Sequence, residues 1–222
     1  MVISVLYTIS LPSDTPHSKK EIIMTRDELT TLINQLENAK LDFKRDWYSS
    51  EKKTELIKDM IALSNGNMHY LGQTAYLVIG VKECVGAENE IYGVELDKDI
   101  QIIKQELLQN LQNYTQPALQ DFSIEAFSID EKNIVVIEIP FHPYLIILKK
   151  TLRPPYLRDT LIYRTGEGTV VADYATRKAF EAAMDKHNAQ ANQQERVSIT
   201  VQGDVKGVVN AERGSVINQT IS

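Results

Sequence analysis

The chain has 222 residues, of which 43% are hydrophobic and 24% charged, and its formal net charge is −6. This is the composition of an ordinary globular protein with one main domain, and the negative charge disfavours a protein that coats nucleic acid by bulk electrostatics. A single cysteine, Cys84, excludes an intramolecular disulfide and favours a reducing cytoplasm, and no apolar run approaches the roughly 20 residues of a membrane-spanning helix.

The first elements are read from caps and periodicity. Residues 1–24 form a loose or strand-like extension in this interpretation. A helix is predicted in "TRDELTTLINQLENA", because Thr25 and Glu28 have capping-box spacing, and it should end near Asn38. "LDFK" then alternates like a short strand, and "SEKKTELIKDMIALSNGN" predicts a second helix that stops at Asn65–Gly66.

The middle of the chain predicts a sheet with helices. "TAYLVIGVK" has the character of a central buried strand, and "IYGVEL" predicts a second short one. A third helix fits "DIQIIKQELLQNLQN", and "DFSIEAFSI" with "NIVVIEIP" predicts a hairpin. A strand at "TLIYRT" and a helix from about Asp173 to Gln193 follow. The fold class is therefore α+β, a mixed β-sheet packed with helices, over residues 25–195.

The last segment, 196–222, changes character. Its valines and isoleucines are interrupted by Gly, Asp, Asn and Ser in pieces too short for a core of their own. Two interpretations stay open: a disordered tail, or a short β-rich segment that is stabilised by stacking with other copies of the chain. The second predicts a homo-oligomer.

Two carboxylates and a lysine form the candidate chemical site. In a strand, Leu41 and Phe43 would point to one side, and Asp42 and Lys44 to the other. Glu37, at the end of the preceding predicted helix, could reach the same point as Asp42. Such a pair can hold Mg²⁺ or Mn²⁺ while the lysine meets a phosphate, as in nucleases. An ordinary solvated strand edge has the same pattern.

Glu83 is the candidate third acid. It follows "AYLVIGV", where a central strand ends and where sites tend to lie. The alternative is a solvated turn residue. If Glu37, Asp42 and Glu83 are all metal ligands, their carboxyl groups should converge around one ion.

These stretches together resemble the Schlafen AlbA_2 domain. The resemblance is carried by "ENAKLDFKRDW", "LIKDMIALSNGN", "AYLVIGVKE", "IYGVEL", "VVIEIPFHP" and "RPPYLRDTLIYRTGEGT", in that order, over about residues 26–180. It implies an α+β fold that acts on nucleic acid. For its nuclease members the resemblance implies a metal-dependent endoribonuclease that acts on transfer RNA and similar RNA, and it implies a role in bacterial defence. Assembly through segment 196–222 would suit an effector that is activated by clustering.

The resemblance also implies which residues do the chemistry. Glu37 and Asp42 stand where the family's first two acids are expected. Where the family has an aspartate directly after "IGV", this chain has Lys82, with Glu83 next. The double glycine that commonly precedes this strand is absent, so the approach loop differs.

Basic residues concentrate in two segments that could border one groove. The candidates for contact with a phosphate backbone are Arg45, Lys52, Lys53, Lys149, Lys150, Arg153, Arg158 and Arg164. Aromatic side chains in the same segments, Trp47, Tyr156 and Tyr163, could stack on unpaired bases. The alternative is that the charges only aid solubility and the aromatic rings belong to the core or its rim.

Together with this resemblance, the sequence predicts a cytoplasmic, metal-dependent endonuclease that acts on RNA in preference to DNA. The competing hypothesis is a non-catalytic nucleic-acid-binding module. There is no phosphate-binding glycine loop of the G-x-x-x-x-G-K-[ST] type, and the four histidines have no ligand-like spacing.

Overall fold

A computed structural model describes residues 24–166, 168–194, 198–201 and 216–219 of the chain. The helices are α1 (Arg26–Ile33), α2 (Lys53–Asn65), α3 (Ile100–Tyr114) and α4 (Tyr174–Gln194). The strands are β1 (Leu41–Lys44), β2 (Ala75–Ile79), β3 (Val81–Lys82), β4 (Glu90–Ile91), β5 (Thr115–Gln116), β6 (Ser123–Ile129), β7 (Lys132–Ile139), β8 (Ile147–Leu148), β9 (Ile162–Thr165), β10 (Gly168–Val171), β11 (Ser198–Val201) and β12 (Val216–Gln219). The α+β prediction is confirmed. Apart from Met24, the predicted N-terminal extension lies outside the described residues.

The central sheet has four strands in the order β1-β2-β7-β6. β1 runs parallel to β2, whereas β2 pairs with β7, and β7 with β6, in antiparallel fashion. β1 is therefore an edge strand, and one side of it is open to neighbouring loops. This position matters because β1 carries two of the predicted site residues.

Each face of the sheet packs against different helices. Because side chains alternate along a strand, Leu77 and Ile137 join the cluster formed with α2 and α3, whereas Val78 and Val136 join the cluster formed with α1. On β1, Leu41 and Phe43 belong to the α1 side. Asp42 is thereby directed to the α2 side of the sheet edge, as the alternation of "LDFK" predicts.

The first helix begins as predicted and ends early. The Thr25 hydroxyl accepts a bond from the Glu28 N–H at 3.3 Å, and the Glu28 carboxylate accepts one from the Thr25 N–H at 2.7 Å, which completes the capping box. α1 stops at Ile33 because the Asn89 side chain donates to the carbonyls of Ile33 and Gln35. Glu37 consequently lies in the loop before β1, and not at a helix end.

Turn chemistry explains two further boundaries. Gly66, with φ of +58°, ends α2 as predicted. The predicted strand "IYGVEL" is wrong in length, since β4 covers only Glu90–Ile91. Beyond it, the N–H groups of Tyr92 and Gly93 both donate to the Gly80 carbonyl, and this bent backbone cannot continue an extended ladder.

The remaining described elements are short pairs and one long helix. β9 pairs with β10, and β11 with β12 in parallel register. The predicted β-rich character of the last segment is thus seen at the eight residues that are described there. Of the helices in the described part of the chain, none combines the length and apolar character needed to cross a bilayer.

Candidate functional site

The predicted acidic pair meets around a buried arginine. Arg164, on β9, has a side chain that is only 5% exposed, and its Nη2 atom lies 2.6 Å from Asp42 Oδ1 and 3.3 Å from Glu37 Oε2. Its Nε atom donates to the Asn38 carbonyl at 3.3 Å, and its own N–H donates to the Gly66 carbonyl. The guanidinium is therefore fixed from several sides.

Asp42 holds two cations at once. Its Oδ1 atom accepts the bond from Arg164, and its Oδ2 atom forms an ion pair at 2.5 Å with Lys44 Nζ, as the strand alternation predicts. The Asp42 side chain is 1% exposed, whereas that of Lys44 is 33% exposed. Asp42 is thus an internal anchor for Lys44, whose partly exposed side chain lines a cleft.

Glu37 is the accessible acid of the pair. Its side chain is 22% exposed, and its Oε1 atom accepts a bond from the Phe43 N–H at 2.8 Å. Burial raises the pKa of the Glu37 carboxyl, and the neighbouring Asp42 carboxylate raises it further, while the Phe43 N–H and Arg164 act in the opposite direction. Glu37 is therefore the carboxylate best placed to exchange a proton with a bound molecule.

Glu83 lies next to Glu37, but its carboxylate is hydrogen-bonded to the main chain. Its Oε1 atom accepts a bond at 2.7 Å from the main-chain N–H of Glu37. It therefore fixes the loop that carries Glu37. The structure thus brings the three predicted acids close together, but the hydrogen bond of Glu83 goes to the main chain of Glu37 and not to the side chains of the pair.

The placement of these acids does not fit a shared metal ion. Carboxylate oxygens are the donors that Mg²⁺ and Mn²⁺ prefer. Here, however, the oxygens of Asp42 are engaged by Arg164 and Lys44 within a fully buried side chain. Across the described ranges, no three His, Cys, Asp or Glu side chains are grouped to hold a metal. The guanidinium of Arg164 occupies the position between the two carboxylates.

A polar cleft of about 740 Å³ opens above this cluster. Its charged lining consists of five acidic and five basic side chains: Glu37, Asp42, Glu51, Glu55 and Asp59, and Lys44, Lys52, Lys58, Arg153 and Arg164. Arg153 pairs with Glu55 at 2.7 Å, and Lys58 pairs with Glu55 and Asp59 at 3.0 Å each. The cleft is consequently balanced in charge, in contrast to the cationic groove that the sequence suggested.

The basic candidates divide between the cleft and other surfaces. Lys52, Arg153 and Arg164 line the cleft beside Lys44. The others lie elsewhere: Arg45 stacks on the Tyr92 ring, Lys53 lines a separate cavity, Lys149 is exposed, Lys150 lies 6.0 Å from the Tyr114 ring centre, and Arg158 pairs with Asp159. The structure thus brings only part of the predicted basic set to one place.

Comparison with known proteins identifies the domain. The family model described as "Schlafen, AlbA_2" matches residues 37–173. The chain belongs to the Schlafen AlbA_2 family. This match includes both members of the acidic pair and Arg164, and it lies within the predicted 25–195 domain. Among curated proteins, no relative matches this AlbA_2 chain.

Two solved structures are similar to the AlbA_2 chain. The DIP2311 protein from Corynebacterium diphtheriae matches with 16% identity and a TM-score of 0.42, over 66% of this chain and 27% of its own. The N-terminal domain of a RecG-related ATP-dependent DNA helicase protein from Nitrosomonas europaea matches with 19% identity and a TM-score of 0.37, over 60% and 84%. This chain thus spans about a quarter of the DIP2311 chain.

Sequence reasoning missed one side of the AlbA_2 cleft. The Tyr48 hydroxyl donates to Asp59 Oδ2 at 2.6 Å, and burial together with the Asp59 charge raises the pKa of Tyr48. For Lys58, burial lowers the pKa, but Asp59 and Glu55 outweigh it, so the net pKa is raised. A signal existed, because Glu55, Lys58 and Asp59 have the three- and four-residue spacing of one helix face.

Proposed function

We propose that this AlbA_2 protein binds nucleic acid in the cleft and cleaves it, with RNA preferred over DNA and a folded, transfer-RNA-like molecule as substrate. The reaction is the cleavage of a phosphodiester bond, in which the attacking oxygen comes either from water or from a hydroxyl group of the nucleic acid itself. The family supports action on nucleic acid, and the single cysteine favours work in the cytoplasm.

One observation supports catalysis over binding alone. The cleft floor combines two adjacent carboxylates, Glu37 and Asp42, with the cations Lys44 and Arg164. Carboxylates repel phosphate, so a groove that served only to bind a polyanion would gain nothing from them. A carboxylate beside fixed cations is instead useful in moving a proton while charge develops on a phosphate.

The burial of each group assigns the roles. Lys44 and Lys52 are accessible and would contact phosphate oxygens. Glu37 Oε2 would accept the proton of the attacking hydroxyl, because it is the exposed member of the acid pair. Asp42 would act as a positioning residue, since it orients Lys44 and Arg164 from within the protein. The predicted dependence on Mg²⁺ or Mn²⁺ stays a prediction, but Glu37, Asp42 and Glu83 do not fit as its shared ligands, and none of these roles is assigned to the ion.

The test compares cutting and binding in one experiment. End-labelled transfer RNA, single-stranded RNA and single-stranded DNA are incubated with the full chain, in Mg²⁺, in Mn²⁺ or in chelator. Glu37→Gln keeps the size of the side chain and removes its basicity. We expect it to slow cleavage at least about 100-fold, as for loss of a general base, while RNA binding measured by anisotropy is retained.

Glu131→Gln is the matched control, because Glu131 is an exposed acid in the β6–β7 turn. It should cut as the wild type does. Equal cutting by Glu37→Gln and Glu131→Gln would refute the role of Glu37. If RNA is bound but is cut under none of these conditions, the non-catalytic module is supported. The ion pairs of Glu37 and Asp42 with Arg164 also favour that alternative.

We also propose that the last segment assembles copies of the chain. β11 and β12 form a two-stranded sheet of their own, and two strands alone are marginally stable in water. Within the described part of the chain these two strands pair only with each other, and strands from another copy could extend the sheet at its edges. Such clustering would suit an effector that is activated by assembly, for example in defence.

A further inference from the structure

A second cavity lies beside the cleft and differs from it in character. Its volume is about 110 Å³, and it is lined by the buried aliphatic side chains Leu56, Ile103 and Leu107 together with the aromatic rings of Trp47 and Tyr48. Apolar walls with a few polar groups at the edge are typical of sites for flat ring molecules. The walls of this cavity thus suit a flat ring, whereas the lining of the cleft is mostly charged.

Polar groups surround the apolar part of this cavity. Glu106 accepts from Lys98 Nζ at 2.5 Å and lies 3.5 Å from Lys53 Nζ, so two ammonium groups share one carboxylate. Asp97 also lines the cavity, so its two basic and two acidic side chains balance, as suits an uncharged ring. Ser50 and the amide of Asn110 add groups that can form hydrogen bonds to the edge of a base.

Tyr48 connects the cavity to the cleft. The same side chain lines both, and its hydroxyl donates to Asp59 in the cleft. A strand with a phosphate near Lys44 would therefore pass its neighbouring base along Tyr48 toward Trp47. Aromatic rings next to a phosphate-binding groove are the arrangement by which proteins hold single strands.

We propose that this cavity receives one unpaired pyrimidine base of the strand that occupies the cleft. The proposal rests on the proposed function, because it needs a strand in the cleft. Size limits the base: about 110 Å³ is less than the roughly 150 Å³ of a cavity that encloses benzene, so a single six-membered ring can enter only in part, through the open side, and a purine is too large.

The test uses Trp47, which is the only tryptophan of the chain. Oligoadenylate RNA carrying one uridine is compared with the all-adenylate strand and with a strand that has an abasic site at that position. Binding is followed by anisotropy of a label on the RNA, and occupancy of the cavity by tryptophan emission. We expect the uridine strand to quench the emission and to bind about tenfold more tightly than the abasic strand.

Trp47→Leu should remove this tenfold advantage, whereas Tyr174→Leu, which alters an aromatic ring that is 78% exposed on α4, should leave it unchanged. Binding of all strands with equal affinity and unchanged emission would overturn the cavity proposal and leave the cleft proposal intact. An equal or greater effect of the adenylate strand would overturn the selection of pyrimidines. If no strand changes the anisotropy, both proposals fail.

Discussion

Lys40 shows how the site region tolerates a buried charge. Its side chain lies in the interior, and its Nζ atom donates to the Ser64 carbonyl at 2.6 Å. Burial lowers the pKa of Lys40 from its ordinary value of 10.5 to about 8. Between these two values the unfolded chain holds a proton that the native protein lacks. The contribution of Lys40 to stability is therefore present above pH 10.5 and is lost as pH falls through 8.

We predict that the free energy of unfolding of the wild type, relative to Lys40→Met, rises by about 3 kcal/mol between pH 8 and 10.5. Urea unfolding of both proteins across this range measures the difference, in which other titrating groups cancel. Lys149→Met, at an exposed lysine, provides the baseline. A difference that stays constant with pH, or that falls, would contradict the prediction.

Arg164 is the residue on which the acidic pair depends. Because Asp42 is buried beside it, Arg164→Met would leave one carboxylate with Lys44 alone and the other without its ion pair. We predict a loss of about 3 kcal/mol in the free energy of unfolding. Arg158→Met changes a nearby arginine that is 71% exposed and should cost less than about 1 kcal/mol.

Chemical unfolding measures both arginine variants. Adding Asp42→Asn to Arg164→Met should recover part of the loss, since it removes the charge that was left behind. If Asp42→Asn destabilises the Arg164→Met protein as much as it destabilises the wild type, the two residues are not coupled and the anchor role is wrong.

At the scale of elements, one amide joins the end of α2 to the segments that close the site. Asn65 Nδ2 donates to the carbonyls of Ile146 and Ile162, and Asn65 Oδ1 accepts from the Ile146 N–H, at 2.7 to 2.9 Å. Ile162 begins β9, the strand that carries Arg164. The position of the guanidinium thus depends on a buried contact two residues away.

We predict that Asn65→Ala destabilises the protein by about 3 kcal/mol, because it leaves three buried backbone groups without partners. Because β9 loses its fixed register, the variant should also lower the rate of cleavage at saturating RNA. Its affinity for RNA should fall less. Asn188→Ala removes a single exposed bond to the Pro143 carbonyl and serves as the comparison. Equal midpoints of urea unfolding for the two variants would disprove the role of Asn65.

At the scale of the whole molecule, local signals predicted the elements and long-range contacts decided the site. The capping box at Thr25 and the alternation of residues 41–44 depend on neighbours within four positions, and both are confirmed. Arg164 and Asp42 are 122 residues apart, so no spacing rule could pair them. For the same reason the early end of α1, set by Asn89, and the backbone contact of Glu83 could not be anticipated.

The last prediction concerns assembly of the entire chain. β11 and β12 pair in parallel over four residues each, and two strands without further partners are marginally stable in water. If other copies supply those strands, removal of residues 196–222 should convert an oligomer to single chains, while each chain retains its affinity for RNA. Light scattering measures the mass, and anisotropy measures the affinity.

A point variant separates this effect from general damage by truncation. Thr200→Pro removes a backbone N–H in β11 and is incompatible with a central ladder, so it should dissociate the oligomer. Thr200→Val keeps the N–H and has high strand propensity, so it should leave the mass unchanged. A full-length chain that is already monomeric, or an oligomer that survives truncation, would show that assembly does not occur through this segment. Cleavage that persists in dissociated chains would then separate the chemistry of the cleft from any activation by clustering.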